Sequence, residues 1–187
     1  HYRLSLHLFT AFIILSIVFW KYLELVNLKI IETTFKINSI KFFLLLLFLQ
    51  LIIGAFVSGM DAGKIYNTWP LMGSSFFPDD SRFTEFINIA FFDNPSIVQF
   101  LHRLIAYLIL IFYIYLLITL LNSKIEALRL PIIIIGISLL IQIGLGIITL
   151  LSGVKILYAS LHQINSIFII LSTIYLFYIT KYKKPIN

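Results

Sequence analysis

Cysteine is absent from the 187 residues, which excludes disulfides, thiolate metal sites and cysteine nucleophiles. Charge is scarce: Asp, Glu, Lys and Arg together make up 12% of the chain, and only 8 residues are acidic. That leaves too little polar surface to cover a water-soluble core. What fills the sequence is apolar, 60% of it hydrophobic with a mean hydropathy of +1.03, a balance found in polytopic membrane proteins. Five apolar runs, at about 5–26, 42–60, 96–121, 131–152 and 156–179, each have the roughly 20 residues a helix needs to cross the hydrocarbon. Backbone groups in lipid must pair within their own segment, and these runs are too long and too continuously apolar for barrel strands. The expected fold is an all-α membrane protein with five transmembrane helices.

The first apolar run is full-length and has no small-residue cleavage site after it, so it does not read as a removable signal. The sequence opens with His1 rather than Met, at the brink of a helix, and the expectation is a remainder of a longer protein. The net charge of +6 does not call for nucleic acid, because the basic residues lie between and after the spans. Lys29, Lys36 and Lys41 are assigned to the first connection, Lys124 and Arg129 to the third, and Lys181, Lys183 and Lys184 to the tail. The second connection is acidic, with Asp61, Asp79, Asp80, Glu85 and Asp93 against Lys64 and Arg82. The positive-inside rule then puts the first and third connections and the C-terminus in the cytoplasm, and the long second loop outside.

The few polar residues inside the spans reveal a repeat. The first, third and fifth spans begin with Leu-His, as LHL at 6–8, LHR at 101–103 and LHQ at 161–163. The second and fourth share Gln-x-x-x-Gly, as QLIIG at 50–54 and QIGLG at 142–146. Helices of two types alternate, which suggests a duplicated unit with the sequence starting partway through the first copy. Gly54, Gly59, Gly136, Gly144 and Gly146 suit close helix approach, and Gln50 and Gln142 suit interhelical hydrogen bonds.

Ionisable side chains within a span are costly and normally have a partner. His7, His102 and His162 each lie in the first turns of a helix that starts at the outer side, so all three stand at about one depth. A hydrogen bond to a neighbouring helix is enough to account for each imidazole alone; the shared depth argues for more. Zinc and copper sites recruit further His, Cys or carboxylate ligands, and no such cluster is present. A haem needs only two axial ligands, which His102 and His162 would supply across an apolar slot between helices of a four-helix bundle. Arg103, beside His102, is placed either to meet a propionate or to snorkel to the interface. His1 has no functional reading.

A haem near the outer face needs a cover, and the loop at 60–95 is the only large outer segment. It begins with DAGKIYNTWPLMG, where Asp61 and Lys64 are a turn apart, Tyr66, Asn67 and Trp69 follow, and Trp69-Pro70 ends any helical continuation. Tyr66 and Trp69 suit the headgroup level as belt aromatics. Composition alone stops at a structured outer lid.

DAGKIYNTWPLM, VQFLHRLIAY at 98–107 and LYASLHQINS at 157–166 resemble the haem A synthase family in its mitochondrial and alphaproteobacterial branch. YRLSLHL at 2–8 is similar to the start of that family's fourth transmembrane helix. The resemblance covers essentially the whole chain and implies the last five of eight helices: residues 1–40 as the last helix of the amino half with its connection, and 41–187 as a complete carboxyl four-helix haem-binding bundle. It implies that His102 and His162 are axial ligands of a haem B cofactor and that His7 is one ligand of the substrate haem. The family's other substrate-side histidine and its catalytic glutamate lie in helices absent here, so this chain alone should not complete the reaction. That reaction oxidises a methyl group of haem O to a formyl group, giving haem A for cytochrome oxidase, by two hydroxylations and loss of water. The outer-loop cysteine pair of some members is missing. The implied partners are haem O, the lipid bilayer, the amino half of the same protein, an electron donor and a further copy in a homo-oligomer. The implied location is a bacterial inner membrane rather than a mitochondrial one. Two other readings use the same residues: a non-catalytic cytochrome b-like electron-transfer subunit, and a structural assembly factor without haem.

Overall fold

A computed structural model describes residues 1–28, 30–31, 37–87 and 92–181. Five helices account for most of them: α1 (Tyr2–Leu25), α2 (Ile37–Gly59), α3 (Pro95–Asn122), α4 (Glu126–Leu151) and α5 (Ile156–Ile179). All five are long and apolar enough to cross a membrane. Apolar Ile, Leu and Phe run through each one, and local signals close the ends. Asn94 caps α3 by accepting from the backbone N–H groups of Ser96 and Ile97, with Pro95 at the first helical position. Gly153, at a φ of 72°, ends α4 in the left-handed conformation, while the Val154 N–H reaches back 2.9 Å to the Thr149 carbonyl.

Two basic residues lie elsewhere than hydropathy placed them. Lys41 and Arg129 sit inside the first turns of α2 and α4 rather than in connections, because a long aliphatic stem lets a cationic head reach the interface from within a helix. α4 begins at Glu126, ahead of its apolar run, and holds Pro131 near its start. Lys29, Lys36, Lys183 and Lys184 fall outside the described residues, as does 88–91 of the outer loop.

α2, α3, α4 and α5 pack in chain order around a closed ring, with α5 returning to α2, while α1 lies outside against α2 and α5. The helices on opposite corners, α2 with α4 and α3 with α5, do not pack closely. Contacts fix which ends meet. His1 and Tyr2, at the start of α1, reach Asp93, just before α3, at 3.1 and 3.0 Å, and Asn67, after α2, reaches the Leu150 carbonyl near the end of α4 at 2.9 Å. At the opposite end the Lys181 ammonium lies 5.1 Å from the Trp20 ring and 4.0 Å from Glu24. One end of the bundle therefore carries the acidic loop and the starts of α1, α3 and α5; the other carries Lys21, Lys41 and Lys181.

The core is uneven along this axis. Ile40, Phe43, Leu116, Leu120, Leu128, Ile132, Ile135, Ile170 and Leu176 are fully buried, all in the half toward the basic end. In the other half α4 has no buried residue after Leu139 and α5 none before Ile169. The histidines stand in that half, where burial comes from α2 and α3 instead, through Ile53, Phe56, Ile97 and Val98.

Candidate functional site

His102 and His162 occupy the second or third turn of α3 and α5, which stand on opposite corners of the ring. Their ring centroids are 6.4 Å apart, with planes inclined at 63°. A first-row metal to imidazole bond is about 2.0–2.1 Å, and a ring nitrogen sits about 1.2 Å from its ring centre, so two imidazoles sharing one iron stand roughly 6.4 Å apart. The pair fits a bis-histidine iron centre in separation.

Each ring is held by the helix before its own, in the same way. Gln50 lies on α2 with its amide nitrogen 3.3 Å from His102 Nε2, and Gln142 lies on α4 with its amide nitrogen 3.2 Å from His162 Nε2. One turn on, Gly54 and Gly146 receive the ring edges: a Cβ at Gly54 would come within 3.0 Å of His102 Cε1, and one at Gly146 within 3.1 Å of His162 Cε1. Gln-x-x-x-Gly is thus a histidine cradle, with glutamine and glycine one turn apart on one helix face. The other glycines differ. Gly59 lets α2 approach His1 and Gly136 admits the Tyr113 hydroxyl, whereas nothing lies within 4 Å of a Cβ at Gly144, so close packing within this chain does not explain that glycine.

The outer loop closes over α3. The Arg103 guanidinium donates to the carbonyls of Tyr66 at 3.1 Å, Leu71 at 3.3 Å and Pro70 at 3.4 Å, and Gln99 donates to the same Tyr66 carbonyl at 2.9 Å. Arg103 is therefore a fastener for the loop more than a side chain snorkelling to the interface. Asn67 donates to the carbonyls of Gly63 and Leu150, both at 2.9 Å, and so ties the loop to α4. Asp61 pairs with Lys64 at 2.8 Å on the surface, and Trp69 is exposed before a cis bond to Pro70. Hydrogen bonds from the backbone and hydroxyl of Ser74 hold the Asp79 carboxyl below the usual range. Burial works against the charge on Asp80, but hydrogen bonds from Ser96 and its neighbours outweigh it, and its pKa is lowered as well. Burial and then the neighbouring Asp80 push the Tyr66 phenol up.

His7 is not brought to this pair; its side chain is exposed on α1. Among the described residues no group of three or more His, Asp or Glu is gathered as a metal cluster. Two contributors escape sequence reasoning. Gln99, one turn before His102, holds the loop, and Asn165, one turn after His162, donates to the Gln142 side-chain oxygen at 2.7 Å and the Ser138 carbonyl at 2.9 Å. Their i±3 spacing from the histidines was the available signal.

The profile of the family described as cytochrome oxidase assembly protein matches residues 1–174. A haem A synthase of Pelagibacter ubique is 44% identical over 178 residues, covering 95% of this chain and 52% of that protein. One of Wolbachia pipientis is 38% identical over 180 residues (94% and 49%), and one of Rickettsia bellii 37% identical over 191 (97% and 55%). The chain spans about half the length of the curated relatives it matches. No solved structure matches. A facing histidine pair in a five-helix membrane bundle, a profile match over nearly the whole chain and these identities together place the chain in the cytochrome oxidase assembly family to which the haem A synthases belong.

Proposed function

We propose that this chain is the cofactor-haem part of a haem A synthase, the enzyme that oxidises a methyl group of haem O to formyl. The observation that carries the reading is the 6.4 Å separation of the His102 and His162 rings, borne by α3 and α5 on opposite corners of the bundle. These two residues would hold a haem B through their imidazole nitrogens, and when bound it would supply a one-electron redox couple. The chain's own groups do the rest. Gln50, Gln142, Gly54 and Gly146 orient the imidazoles, and the 60–95 loop, fastened by Arg103, Gln99 and Asn67, keeps water from the outer end. Arg103, at the rim beside His102, meets a propionate with the N–H groups it does not give to the loop.

His7, exposed on the outer face of α1, serves the substrate haem together with helices beyond this chain, so residues 1–40 belong functionally to the amino half and 41–187 to the carboxyl half. The chain alone does not complete the oxidation. The acidic loop end faces outward and the end with Lys41 and Lys181 faces the cytoplasm, in a bacterial inner membrane. His102→Ala and His162→Ala should each abolish the low-spin bis-histidine spectrum while His7→Ala leaves it, and cells lacking the gene should lose haem A and accumulate haem O. Retention of that spectrum in either variant, or unchanged haem A, overturns the reading.

A further inference from the structure

α3 is enclosed on every side near its start and on one face only further along. Ser96, Ile97, Val98, Gln99 and Phe100 are consecutive and all buried, and five consecutive residues point in every direction around a helix. From Leu108 onward, Ile111, Ile114 and Ile118 are exposed at helical spacing, as a lipid-facing stripe is. The outer loop supplies part of the extra cover. Arg103 takes its carbonyls, and the Phe76 ring lies 6.0 Å from Phe100 and 5.9 Å from Tyr107, with Phe77 5.1 Å from Phe100. Tyr107 is about 18 Å along the helix from Pro95, and its ring leans back toward the helix start. The loop therefore comes down the flank of α3 rather than stopping at the end of the bundle.

The tip of the loop meets its backbone needs without water. The Met72 N–H donates to the Ser75 carbonyl at 2.7 Å, the Gly73 N–H to the Thr68 hydroxyl at 3.3 Å and the Ser74 N–H to the Asp79 carboxylate at 2.7 Å. Arg103 serves the carbonyls of Pro70 and Leu71, and a proline has no N–H to satisfy. A loop in water has solvent for these groups; one at lipid depth must pair them with protein. The side turned away from α3 is apolar, with Trp69, Leu71 and Phe76 at 46, 43 and 47% exposed. The exposed Asp79 carboxylate sets a limit on depth.

We infer that residues 69–77 form a wall partly immersed in the bilayer, with Trp69, Leu71 and Phe76 seated at the boundary between headgroups and acyl chains in the leaflet at the acidic end. The partner is lipid, because the exposed side of the tip continues the lipid-facing stripe of α3, and aromatic side chains favour that boundary. The loop thus shields the flank of α3 beside His102 as well as the end of the bundle.

The test is nitroxide accessibility in the protein held in lipid nanodiscs, since a chain without cysteine takes a label only where one is introduced. A label at Phe76→Cys should lose relaxation by a water-soluble nickel chelate and keep relaxation by oxygen, as should one at Ile111→Cys on the lipid face of α3. A label at Asp61→Cys, in the same loop but on its charged surface, should keep the nickel effect. Leu71→Cys leaves the Phe76 ring in place and gives a second position if Phe76→Cys fails to fold. Nickel relaxation at Phe76 or Leu71 equal to that at Asp61 puts the tip in water and overturns the inference. Labels at Phe76 and Leu71 that neither probe reaches put the tip beneath protein, and overturn it as well. If nickel reaches the label at Ile111, the membrane reading of α3 has failed, a result separate from these.

Discussion

The helix pairs α2–α3 and α4–α5 are two copies of one device, and they secure their histidines by different means. Both use glutamine and glycine one turn apart to cradle an imidazole on the next helix. In the α4–α5 pair the connection is a short turn and the securing bonds run inside the pair, from Ser138 through Asn165 and Gln142 to His162. In the α2–α3 pair the connection spans 60–94, folds back over the bundle, and is gripped by Gln99 and Arg103 on either side of His102. The equivalents of those two residues are Ala159 and Gln163. The shared pattern sets where the two histidines stand, and differences at three or four neighbouring positions set how each is held.

The comparison breaks first at what the copies share. Gly54→Val or Gly146→Val places branched carbons where a ring edge already lies, so the imidazole must leave its place. Either variant should lose the bis-histidine spectrum almost entirely, with Gly→Ala intermediate. Gly144→Ala, with nothing within 4 Å, should keep it. Equal spectra for Gly146→Val and Gly144→Ala would mean that the cradle does not position the ring.

The next largest effect separates the copies. Arg103→Ala removes three donors to the loop, each bond to a charged group worth about 1.5–3 kcal/mol before discounting for its partial exposure. Trypsin cleavage after Lys64 and Arg82 should rise by an order of magnitude, while the α4–α5 half keeps its protection from amide exchange. Arg103→Lys should behave like the alanine variant, since a single ammonium cannot span three carbonyls. Protection by lysine equal to that by arginine would show that charge, not the fork, holds the loop.

Much of this was legible in the sequence, for physical reasons that also mark where legibility stopped. Helix length against bilayer thickness gave all five spans, and the scarcity of polar residues made the Leu-His and Gln-x-x-x-Gly elements visible. Spacing did not reveal that the glutamines serve the histidines, because i, i+4 periodicity describes one helix and the contact is between two. The loop partners of Arg103 are not legible, because backbone carbonyls leave no trace in the side-chain sequence. Gly144 resembled its neighbours in composition yet faces away from the cradle. The helical positions of Lys41 and Arg129 are hidden from hydropathy, which scores a snorkelling cation as solvent-exposed.

A smaller effect concerns acid. Asp79 and Asp80 have lowered pKa values, so their contribution to the loop is present above the ordinary carboxylate pKa and is lost as the pH falls through the lowered one. Amide exchange of 66–82 should therefore accelerate below about pH 4, with the α4–α5 turn unaffected. Asp80→Asn should flatten part of that dependence; an unchanged profile would exclude Asp80 as its source.

The smallest effect belongs to the motif's most conspicuous charges. Asp61 and Lys64 form an exposed pair one turn apart, and such pairs contribute about 0–1 kcal/mol at most. Lys64→Ala should change thermal stability and loop exchange far less than Asn67→Ala, which loses bonds to Gly63 and, across the copies, to Leu150. If Lys64→Ala proved the more damaging in a purified, haem-loaded sample, its ammonium would be answering something other than Asp61. The uncharged amide of Asn67 would then not be what joins the loop of one copy to the helix of the other.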